Sequence, residues 1–554
     1  MAAPDVRITF LGGLGEIGRN CMALESEGRI VLLDCGLMFP DTDMLGVDLV
    51  LPDFTWLRER ADALEGVILT HGHEDHVGSL PYLLAEFEVP LYGSELTLGL
   101  ARGRIEEAGL LKKTSFNAVR DGERRQIGPF DCEFLPVTHS VPHGFATAFH
   151  TSQGTILHTG DFKLDLTPVD GRLTDLSRIG AMASGDGIRL LLSDSTNAEE
   201  HGHASSEKSV GVVLYNLMHE NEGRRVITAC FASHIHRIQQ IADAAMAFDR
   251  VIAPLGRSMR RNITMARDMG LLKIPDRALI DIDDIDSHEP GKVCVVSTGS
   301  QGEPMSALAL LGGNENRWLK VSDEDTVILS SHPIPGNESA VSKVIDNLIR
   351  LGAEVVHSGI ADVHASGHAK EEDLKLFLSV ARPECFVPVH GEFRHMVAHS
   401  RLAKKMGVAD EKIVVAEDGD QLIIDAEGIH LGGRVPAEYV YVHGTVGDVS
   451  RGTLGERRIL GDEGVVAAIV CVELTSRVIV AGPEIATRGW VAREESSDLV
   501  SELVKRISKN VSAALRDGET NLATLERIVR KSAGSTVSEL TKRRPMIVPV
   551  VIEA

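Results

Sequence analysis

The sequence has few aromatic residues, no long apolar run and no closely spaced pair of cysteines. Aromatic side chains make up only 4% of its 554 residues, so extensive base-stacking platforms are not expected. No apolar run reaches the length of a membrane span, and the first residues lack the apolar core of a signal peptide. We therefore expect a protein without membrane association that stays in the cytoplasm.

Cysteine and positive charge are also limited. The seven cysteines are scattered, mostly within apolar stretches, and form no Cys-x-x-Cys pair. This pattern predicts small buried residues in a reducing compartment rather than disulfides or zinc ligands. The 57 basic residues are outnumbered by 80 acidic ones, which gives a net charge of −23. A generic polyanion-binding surface is disfavoured, but a local basic channel on an acidic body is not.

Length and composition indicate a soluble protein with several domains. A chain of 554 residues is too long for one hydrophobic core and predicts roughly two to four domains. The fractions of hydrophobic and charged residues, 43% and 25%, are ordinary for a globular protein. Helical periodicity over Asp53–Leu64 and Val77–Phe87 predicts a helix in each segment.

A glycine-rich stretch near the N-terminus imitates a nucleotide-binding motif. The spacing Gly13-x-Gly15-x-x-Gly18 follows a predicted strand, Val6–Leu11, and Asp34 lies downstream, as in a dinucleotide site. The segment that should form the intervening helix, Arg19–Arg29, is short and is broken by Ser26-Glu27-Gly28. We therefore favour a strand, a turn and a second strand over a dinucleotide site.

The stretch His71-Gly-His73-Glu-Asp75-His76 directly follows an apolar run. Neutral imidazole is a common metal ligand near neutral pH, and carboxylates add oxygen donors. A loop at the end of a strand can aim alternate side chains into one site. Because a solvated loop seldom concentrates imidazole in this way, the stretch predicts a metal site.

Other predicted apolar strands are followed by residues that could also bind or support a metal ion, namely His139, Asp161 and Asp194. Two further segments, 364–368 and His390-Gly-Glu, come after a long region of alternating strands and helices between Val210 and His357. Because motifs of the ligand type flank that region, we expect a first domain that closes around an inserted parallel-sheet domain.

The histidine motif resembles that of the metallo-β-lactamase superfamily, whose αββα sandwich holds two zinc ions. The inserted domain and the order Asp194, His368, His390 resemble the β-CASP branch, which cleaves nucleic acids. In that branch, histidine at the position of His390 accompanies RNA substrates. The Gly-Asp-Phe-Lys motif around Asp161, Ser-Gly-His-Ala at 366–369 and the long C-terminal region narrow the resemblance to the bacterial ribonuclease J family. The fold class implied is α/β: the αββα sandwich, an inserted α/β β-CASP domain and a small C-terminal α+β domain.

The resemblance also implies a ligand set for two zinc ions per chain, with manganese as the alternative. One ion would be held by His71, His73 and His139, the other by Asp75, His76 and His390, and Asp161 would bridge both. The two ions would activate a water for attack at phosphorus. Asp34 would support the metal loop, and Asp194 would orient neighbouring groups. Asp75 would also accept a proton, and His368 would donate to the developing charge or the leaving oxygen.

The candidates for RNA contacts are hydroxyl, imidazole, backbone and cationic groups near these motifs. Residues His364, Ala365, Ser366, Gly367 and His368 would form a pocket for a 5′-terminal phosphate. Further candidates in the inserted domain are Ser233, His234, His236, Arg237, Arg257, Ser331 and His332. The family commonly has asparagine at the position of His234, which leaves the detail of that contact open. Arg257, Arg260, Arg261 and Arg267, and likewise residues 542–544, are either backbone contacts or solvated helix faces.

The domain boundaries expected are residues 1–208 and 361–432 for the sandwich, 209–360 for the β-CASP domain, 433–448 for a linker and 449–554 for the C-terminal domain. In the last of these, strands Gly464–Leu474 and Arg477–Ala481 precede helices Ser496–Leu515 and Leu522–Ser532. The resemblance implies a homodimer or homotetramer that forms through this domain.

The function that follows is a metal-dependent ribonuclease acting on single-stranded RNA in RNA maturation and decay, including rRNA processing and mRNA decay, with RNA-degradation partners. It would be a 5′-to-3′ exonuclease preferring 5′-monophosphate ends, with additional endonuclease activity, and it would leave 5′-phosphate and 3′-hydroxyl ends. A hydrolase of small esters, lactones or thioesters is the first alternative, disfavoured because a small substrate needs no inserted clamp. A non-catalytic RNA-binding scaffold is the second, disfavoured because every expected ligand type is present.

Overall fold

The computed structural model describes residues 4–303, 305–334, 337–491 and 496–554. The chain divides into two compact units, one made of residues 1–39 and 49–440 and the other of residues 40–48 and 441–554. Among the described residues, no helix combines the length and the apolar character that crossing a membrane requires.

The larger unit contains two sheets whose apolar faces share one core, with Phe10 and Leu24 of one sheet and Phe134 and Phe145 of the other. The eight-stranded sheet has the spatial order Ile429–Arg434, Asp420–Ile424, Val6–Gly12, Cys21–Ser26, Arg29–Leu33, Leu64–Ile68, Leu91–Gly93, Phe116–Ala118. The six-stranded sheet has the order Cys385–Val389, Ile188–Asp194, Gly154–His158, Phe145–Thr151, Phe130–Pro136, Arg124–Ile127. This is the αββα arrangement that the family resemblance implies.

Both sheets are completed by strands from beyond the inserted domain. Asp420–Ile424 pairs antiparallel with Val6–Gly12, and Cys385–Val389 pairs parallel with Ile188–Asp194. The sandwich therefore closes around the insertion, as expected. Its helices are Thr55–Arg58, Glu74–Val77, Leu80–Glu86, Glu95–Glu107, Leu176–Ser184, Glu371–Ala381 and Phe393–Lys405.

Two of the predicted helices are shorter than expected. The segment predicted as one helix over Asp53–Leu64 contains only the turn Thr55–Arg58 and a 3-10 turn, Ala61–Ala63, because strand Leu64–Ile68 begins immediately afterwards. The helix predicted over Val77–Phe87 is Leu80–Glu86. It begins late because Pro81, which lacks a backbone N–H, is accommodated in the first turn of a helix and not in its interior.

The glycine-rich stretch lies between antiparallel strands. Val6–Gly12 pairs with Cys21–Ser26 in antiparallel register, with Ile8 opposite Leu24. A dinucleotide site requires a helix between two parallel strands. The segment predicted as strand, turn and strand is the antiparallel pair Cys21–Ser26 and Arg29–Leu33, so that interpretation is correct.

The inserted domain is a parallel five-stranded sheet with the order Val251–Leu255, Val293–Ser297, Arg225–Ala229, Asp325–Leu329, Glu354–Val356. Helices cover both faces, as buried strands of a parallel sheet require. These helices are Glu207–Glu220, Ile235–Ala247, Arg257–Asp268, Ala307–Gly312 and Glu338–Arg350.

The smaller unit contains a sheet with the order Val478–Arg488, Val465–Glu473, Met546–Glu553. Its helices are Arg451–Asp462, Ser496–Arg516 and Leu522–Thr541. The last helix extends nine residues beyond the predicted end at Ser532 and buries Ala533 and Val537. The predicted connector, 433–448, contains strand Val440–His443 and most of strand Thr445–Val449.

Candidate metal centre

The ligand-type residues follow strands that end at the same edge of the sandwich. Phe130–Pro136, Gly154–His158, Ile188–Asp194 and Cys385–Val389 all run in one direction within their sheet. His139, Asp161 and His390 therefore follow neighbouring carboxyl ends. The histidine motif follows Leu64–Ile68 of the facing sheet, so loops from both sheets meet.

Asp161 belongs to three groups of four side chains whose ligand atoms lie within 4.8 Å of one another, and the third consists of Asp161, Asp194, His368 and His390. The first group consists of His71, His73, His139 and Asp161, and the second of Asp75, His76, His390 and Asp161. The structure thus brings together all seven residues that the sequence predicts as metal ligands.

The first group presents converging imidazole nitrogens. Nδ1 of His73 lies 3.0 Å from Nε2 of His71 and 3.1 Å from Nε2 of His139. The Nδ1 of His139 donates to the Gly367 carbonyl across 2.7 Å, so the converging Nε2 of its neutral ring carries a lone pair. Burial lowers the pKa of His71 and His139 well below the ordinary value and that of His73 to about 4. Neutral imidazoles that converge in this way can turn their lone pairs toward one point, and a divalent metal ion fits such a donor set.

The second group is rich in carboxylates. Nε2 of His76 lies 3.2 Å from Oδ2 of Asp161, and Nε2 of His390 lies 3.3 Å from Oδ2 of Asp75. Burial lowers the pKa of His390, but Asp161, Asp194 and Asp75 outweigh it and raise that pKa to about 10. Without a metal ion, protons compensate the carboxylates. A metal ion would displace these protons, as is usual for such sites.

In His76 and His390, the ring nitrogen that points away from the second group, Nδ1, is hydrogen-bonded to a neighbouring residue. Nδ1 of His76 donates to Oδ2 of Asp34 across 2.7 Å, and Nδ1 of His390 donates to the Thr196 hydroxyl across 2.7 Å. Such partners orient metal-binding imidazoles and fix their tautomers. Asp34 and His390 themselves have φ values of 60° and 54°, and strained backbone of this kind concentrates at functional sites.

His368 lies beside the second group. Its Nδ1 donates to Oδ2 of Asp194 across 2.8 Å, and its side chain is 20% exposed. Burial raises the pKa of Asp194, but His368 and His390 outweigh it and hold that pKa below the ordinary value. Asp194 is therefore an ionised partner, and Nε2 of His368 is left for a substrate atom.

The segment 364–368 contacts the metal centre through its backbone. Gly367 provides the carbonyl that accepts from His139, and Ser366 Oγ accepts from Asn197 Nδ2 across 2.7 Å. The ring of His364 lies 6.2 Å from that of His332, and its buried Nδ1 has no hydrogen-bond partner among the described residues. Ala365 is buried.

The other candidates for RNA contacts differ in their exposure to solvent and in whether they already contact another residue. Ser233 is half-buried and Arg257 is exposed. The Ser331 hydroxyl donates to the Ser300 carbonyl across 3.2 Å, and His236 lies 3.3 Å from Asp170. Arg260 pairs with Asp281, Arg261 with Glu107 and Arg267 with Asp276.

Arg237 departs from the prediction of a phosphate contact. Its guanidinium is 0% exposed, binds both carboxylate oxygens of Glu207 and donates to the carbonyls of Ser330 and Val363. His234 is also buried, with Nε2 3.2 Å from Glu207. We therefore assign Arg237 a structural role, because a phosphate could reach it only after this network opened.

Three residues in direct contact with the ligands escaped the sequence analysis. The Thr196 hydroxyl contacts His390, the Thr70 hydroxyl lies 3.1 Å from Nδ1 of His71, and the Asn20 amide lies 3.2 Å from Nε2 of His76. Thr70 and Thr196 adjoin or nearly adjoin the predicted motifs, which is the signal that could have identified them. Asn20 lies two positions after Gly18 of the glycine-rich stretch, and no sequence signal linked it to the metal motifs.

Four family descriptions match successive parts of the chain. "Metallo-beta-lactamase superfamily" matches residues 14–206, and "Ribonuclease J, beta-CASP domain" matches residues 223–348. "Zn-dependent metallo-hydrolase RNA specificity domain" matches residues 352–416, and "Ribonuclease J C-terminal domain" matches residues 452–554. A solved structure of an Enterococcus faecalis protein, 15% identical, covers 76% of this chain and all of its own with a TM-score of 0.51. That likeness concerns the fold alone.

Curated relatives match over the full length. Ribonuclease J of Mycolicibacterium smegmatis is 42% identical over 100% of this chain and 98% of its own. Ribonuclease J2 of Bacillus subtilis is 36% identical over 99% of each chain, and ribonuclease J 1 of Streptococcus pyogenes is 37% identical over 99% and 98%. Identity of this extent, spanning the sandwich, the insertion and the C-terminal region alike, means that the chain belongs to the ribonuclease J family.

Proposed function

We propose that this protein is a metal-dependent ribonuclease that hydrolyses single-stranded RNA from 5′-monophosphate ends in the 5′-to-3′ direction and also cuts internally. The observation that carries the proposal is the pair of ligand groups sharing Asp161, with His368 beside them. The family membership supports ribonuclease activity. The direction of cleavage, the end preference and the internal cleavage are our inferences.

Two metal ions fit the donor atoms present. His71, His73 and His139 would hold one, Asp75, His76 and His390 would hold the other, and Asp161 would contact both. Mixed imidazole and carboxylate donors suit zinc, with manganese as the alternative. When bound, the metal supplies a Lewis acid that activates water and stabilises charge at the phosphorus.

Side chains of the protein would donate and accept the protons of the reaction. Asp194 accepts from Nδ1 of His368, so the other ring nitrogen of His368 would donate a proton to the leaving oxygen or to the developing charge. Asp75 would accept the proton that the attacking water loses. The products would be a 5′-phosphate and a 3′-hydroxyl.

The 5′-terminal phosphate would bind at the segment 364–368. Ser366, the unpartnered Nδ1 of His364 and the backbone near Gly367 provide donors beside the metal centre. His332, Ser233 and His236 would contribute from the inserted domain. An exonuclease needs a pocket of this kind because it must register the RNA end against the reacting phosphodiester.

Self-association through the C-terminal domain is a further part of the proposal. The helices of the smaller unit cover one face of its sheet, burying Val466, Val470 and Val551. On the opposite face, Val548 and Ile552 are 39% and 49% exposed. An apolar sheet face of this kind is typical of a surface that binds another chain.

The test compares RNA oligonucleotides that carry a 5′-monophosphate, 5′-triphosphate or 5′-hydroxyl, with matched DNA and a His73→Ala variant as controls. We expect monophosphorylated RNA to be reduced to mononucleotides and the variant to be inactive. Internal fragments that form regardless of the 5′ group would contradict the pocket at 364–368. Cleavage of a small ester in place of RNA would contradict the substrate class.

A further inference from the structure

The glycine-rich stretch, residues 12–20, contacts two segments that carry ligands of the second group and a third that carries Asp34, the partner of His76. Leu14 and Gly15 pair in parallel with Gly391 and Glu392, directly after His390. The backbone N–H of Asn20 donates to the Asp75 carbonyl across 3.0 Å. The Asn20 carbonyl accepts from the N–H of Gly36 across 2.9 Å, two positions after Asp34. Segments far apart in sequence thus meet on this one stretch.

The side chain of Asn20 points at the ligands themselves. Its Nδ2 lies 3.0 Å from the Asp75 carbonyl oxygen, 3.5 Å from Asp75 Oδ2 and 3.2 Å from His76 Nε2. A carbonyl and a carboxylate only accept hydrogen bonds, so the amide must present its nitrogen here. Asn20 is the neutral donor placed between two residues of the second group.

Charged partners of one buried guanidinium hold the stretch in place. The Arg19 guanidinium, 1% exposed, donates from Nε to Glu16 and from Nη2 to Asp418, each across 2.8 Å. The Tyr439 ring lies 4.3 Å from the same guanidinium. Asp418 also accepts from the N–H of Leu14 across 3.0 Å. Because a buried ion pair opposes any change that separates its partners, this set keeps the position of Asn20 constant.

The backbone at Gly36 approaches the Asp75 carbonyl so closely that neither segment can shift toward the other. A Cβ at Gly36 would lie 1.5 Å from the Asp75 carbonyl oxygen, so residues 34–36, 75–76 and 20 pack with backbone against backbone. The Asp75 carboxylate then lies between the His390 ring, whose Nε2 is 3.3 Å from Oδ2, and the Asn20 amide, which donates from the opposite segment.

We propose that Asn20 is a positioning residue for the second metal ion and that residues 12–20 clamp the segments carrying Asp75, His76 and His390. The inference rests on the proposed function, because it presupposes two metal ions. Asn20 would hold Asp75 with its carboxylate toward His390 and keep His76 facing the same point. The first group contains no residue that Asn20 touches among the contacts described.

The test is a zinc titration of the metal-free full-length protein in competition with a chromophoric chelator. We expect two equivalents for the wild type. In Asn20→Ala the first equivalent should bind as in the wild type and the second about 10- to 100-fold more weakly, the usual loss for a residue that orients a ligand. Asn20→Ser, which keeps a shorter donor, should lose less.

A matched control is Asn221→Ala, which removes a buried amide that donates to the Leu217 carbonyl across 2.8 Å in the inserted domain. It should keep both zinc equivalents at wild-type affinity. Two equivalents of wild-type affinity in Asn20→Ala, or equal weakening of both, would overturn the inference. A wild-type protein that binds a single equivalent would overturn the two-metal proposal and, with it, this inference.

Discussion

His368 and Asp194 lie 174 positions apart in the chain, yet Nδ1 of His368 donates to Oδ2 of Asp194 across 2.8 Å. The other carboxylate oxygen of Asp194 lies 3.4 Å from Nδ1 of His390. One carboxylate therefore contacts both a candidate proton donor and a candidate metal ligand. In the proposed mechanism, Asp194 would orient the proton donor while lying beside a ligand of the second metal ion.

The first prediction concerns that carboxylate. Asp194→Asn removes the charge that stabilises protonated His368, so turnover of 5′-monophosphorylated RNA should fall at least about 100-fold. Zinc content, measured by mass spectrometry, should stay at the wild-type level. The double variant with His368→Ala should lose little more than His368→Ala alone. Losses that multiply would show that the two residues act separately.

The second prediction concerns the close approach of Gly367 to a metal ligand. A Cβ at Gly367 would lie 2.6 Å from Cε1 of His139. Gly367→Ala should therefore displace this imidazole and reduce RNA cleavage by at least about tenfold. Gly180→Ala is the control, because its Cβ meets only Val380 at an ordinary 3.5 Å within helix Leu176–Ser184. Equal activities of the two variants would contradict the prediction.

The third prediction concerns metal removal. Dialysis against a chelator should abolish RNA cleavage, and added zinc or manganese should restore it. The metal-free protein should also unfold at a lower temperature, because a ligand at about 100 times its dissociation constant stabilises the native state by about 2.7 kcal/mol. Calorimetry with and without zinc measures this shift. Full activity after verified metal removal would be incompatible with the proposal.

The fourth prediction concerns the buried pair of Glu207 and Arg237. Burial raises the pKa of Glu207, but His234 and Arg237 outweigh it and hold that pKa well below the ordinary value of 4.5. A depressed carboxyl pKa contributes stability above the ordinary pKa, and this contribution is lost as the pH falls below it.

Glu207→Gln should accordingly destabilise the protein by about 3 kcal/mol at pH 7, because it leaves a buried guanidinium uncompensated. Urea unfolding at a series of pH values should show a constant difference from the wild type near neutrality. The difference should shrink as the pH falls below the ordinary glutamate pKa. A difference that stays constant throughout that acidic range would refute the assignment.

The fifth prediction concerns self-association. A double variant, Val548→Glu with Ile552→Lys, places charges on the exposed apolar sheet face without changing the net charge. Light scattering should show a dimer or tetramer for the wild type and a smaller species for the variant. Ile349→Lys, at a 53% exposed position of the inserted domain, is the control and should leave the molar mass of the assembly unchanged. If the double variant retains the wild-type mass, the contact lies elsewhere.

The candidate metal site could be predicted from the sequence because its residues are clustered in short segments that directly follow strands. His71, His73, Asp75 and His76 occupy one turn after an apolar strand, and Asp161, Asp194 and His390 also follow strands. Strand direction alone brings such residues to one edge of a sandwich. The alternation of strands and helices between residues 210 and 357 indicated the inserted domain in the same way. The domain boundaries given above remain predictions.

What the sequence by itself determined was therefore a histidine-rich candidate metal site and the presence of an insertion, since both depend on residue type and short-range period. The type of fold and the proposed ligand set followed from the resemblance of these motifs to a known family. Tertiary structure alone decided which polar side chains reach the site and which stabilise the fold instead. Arg237, a basic residue in a polar motif, is committed to Glu207, and Asn20, in a stretch that imitates another motif, faces Asp75 and His76. The physical reason is that such partners are set by strand register and packing between distant segments, which a local pattern does not encode.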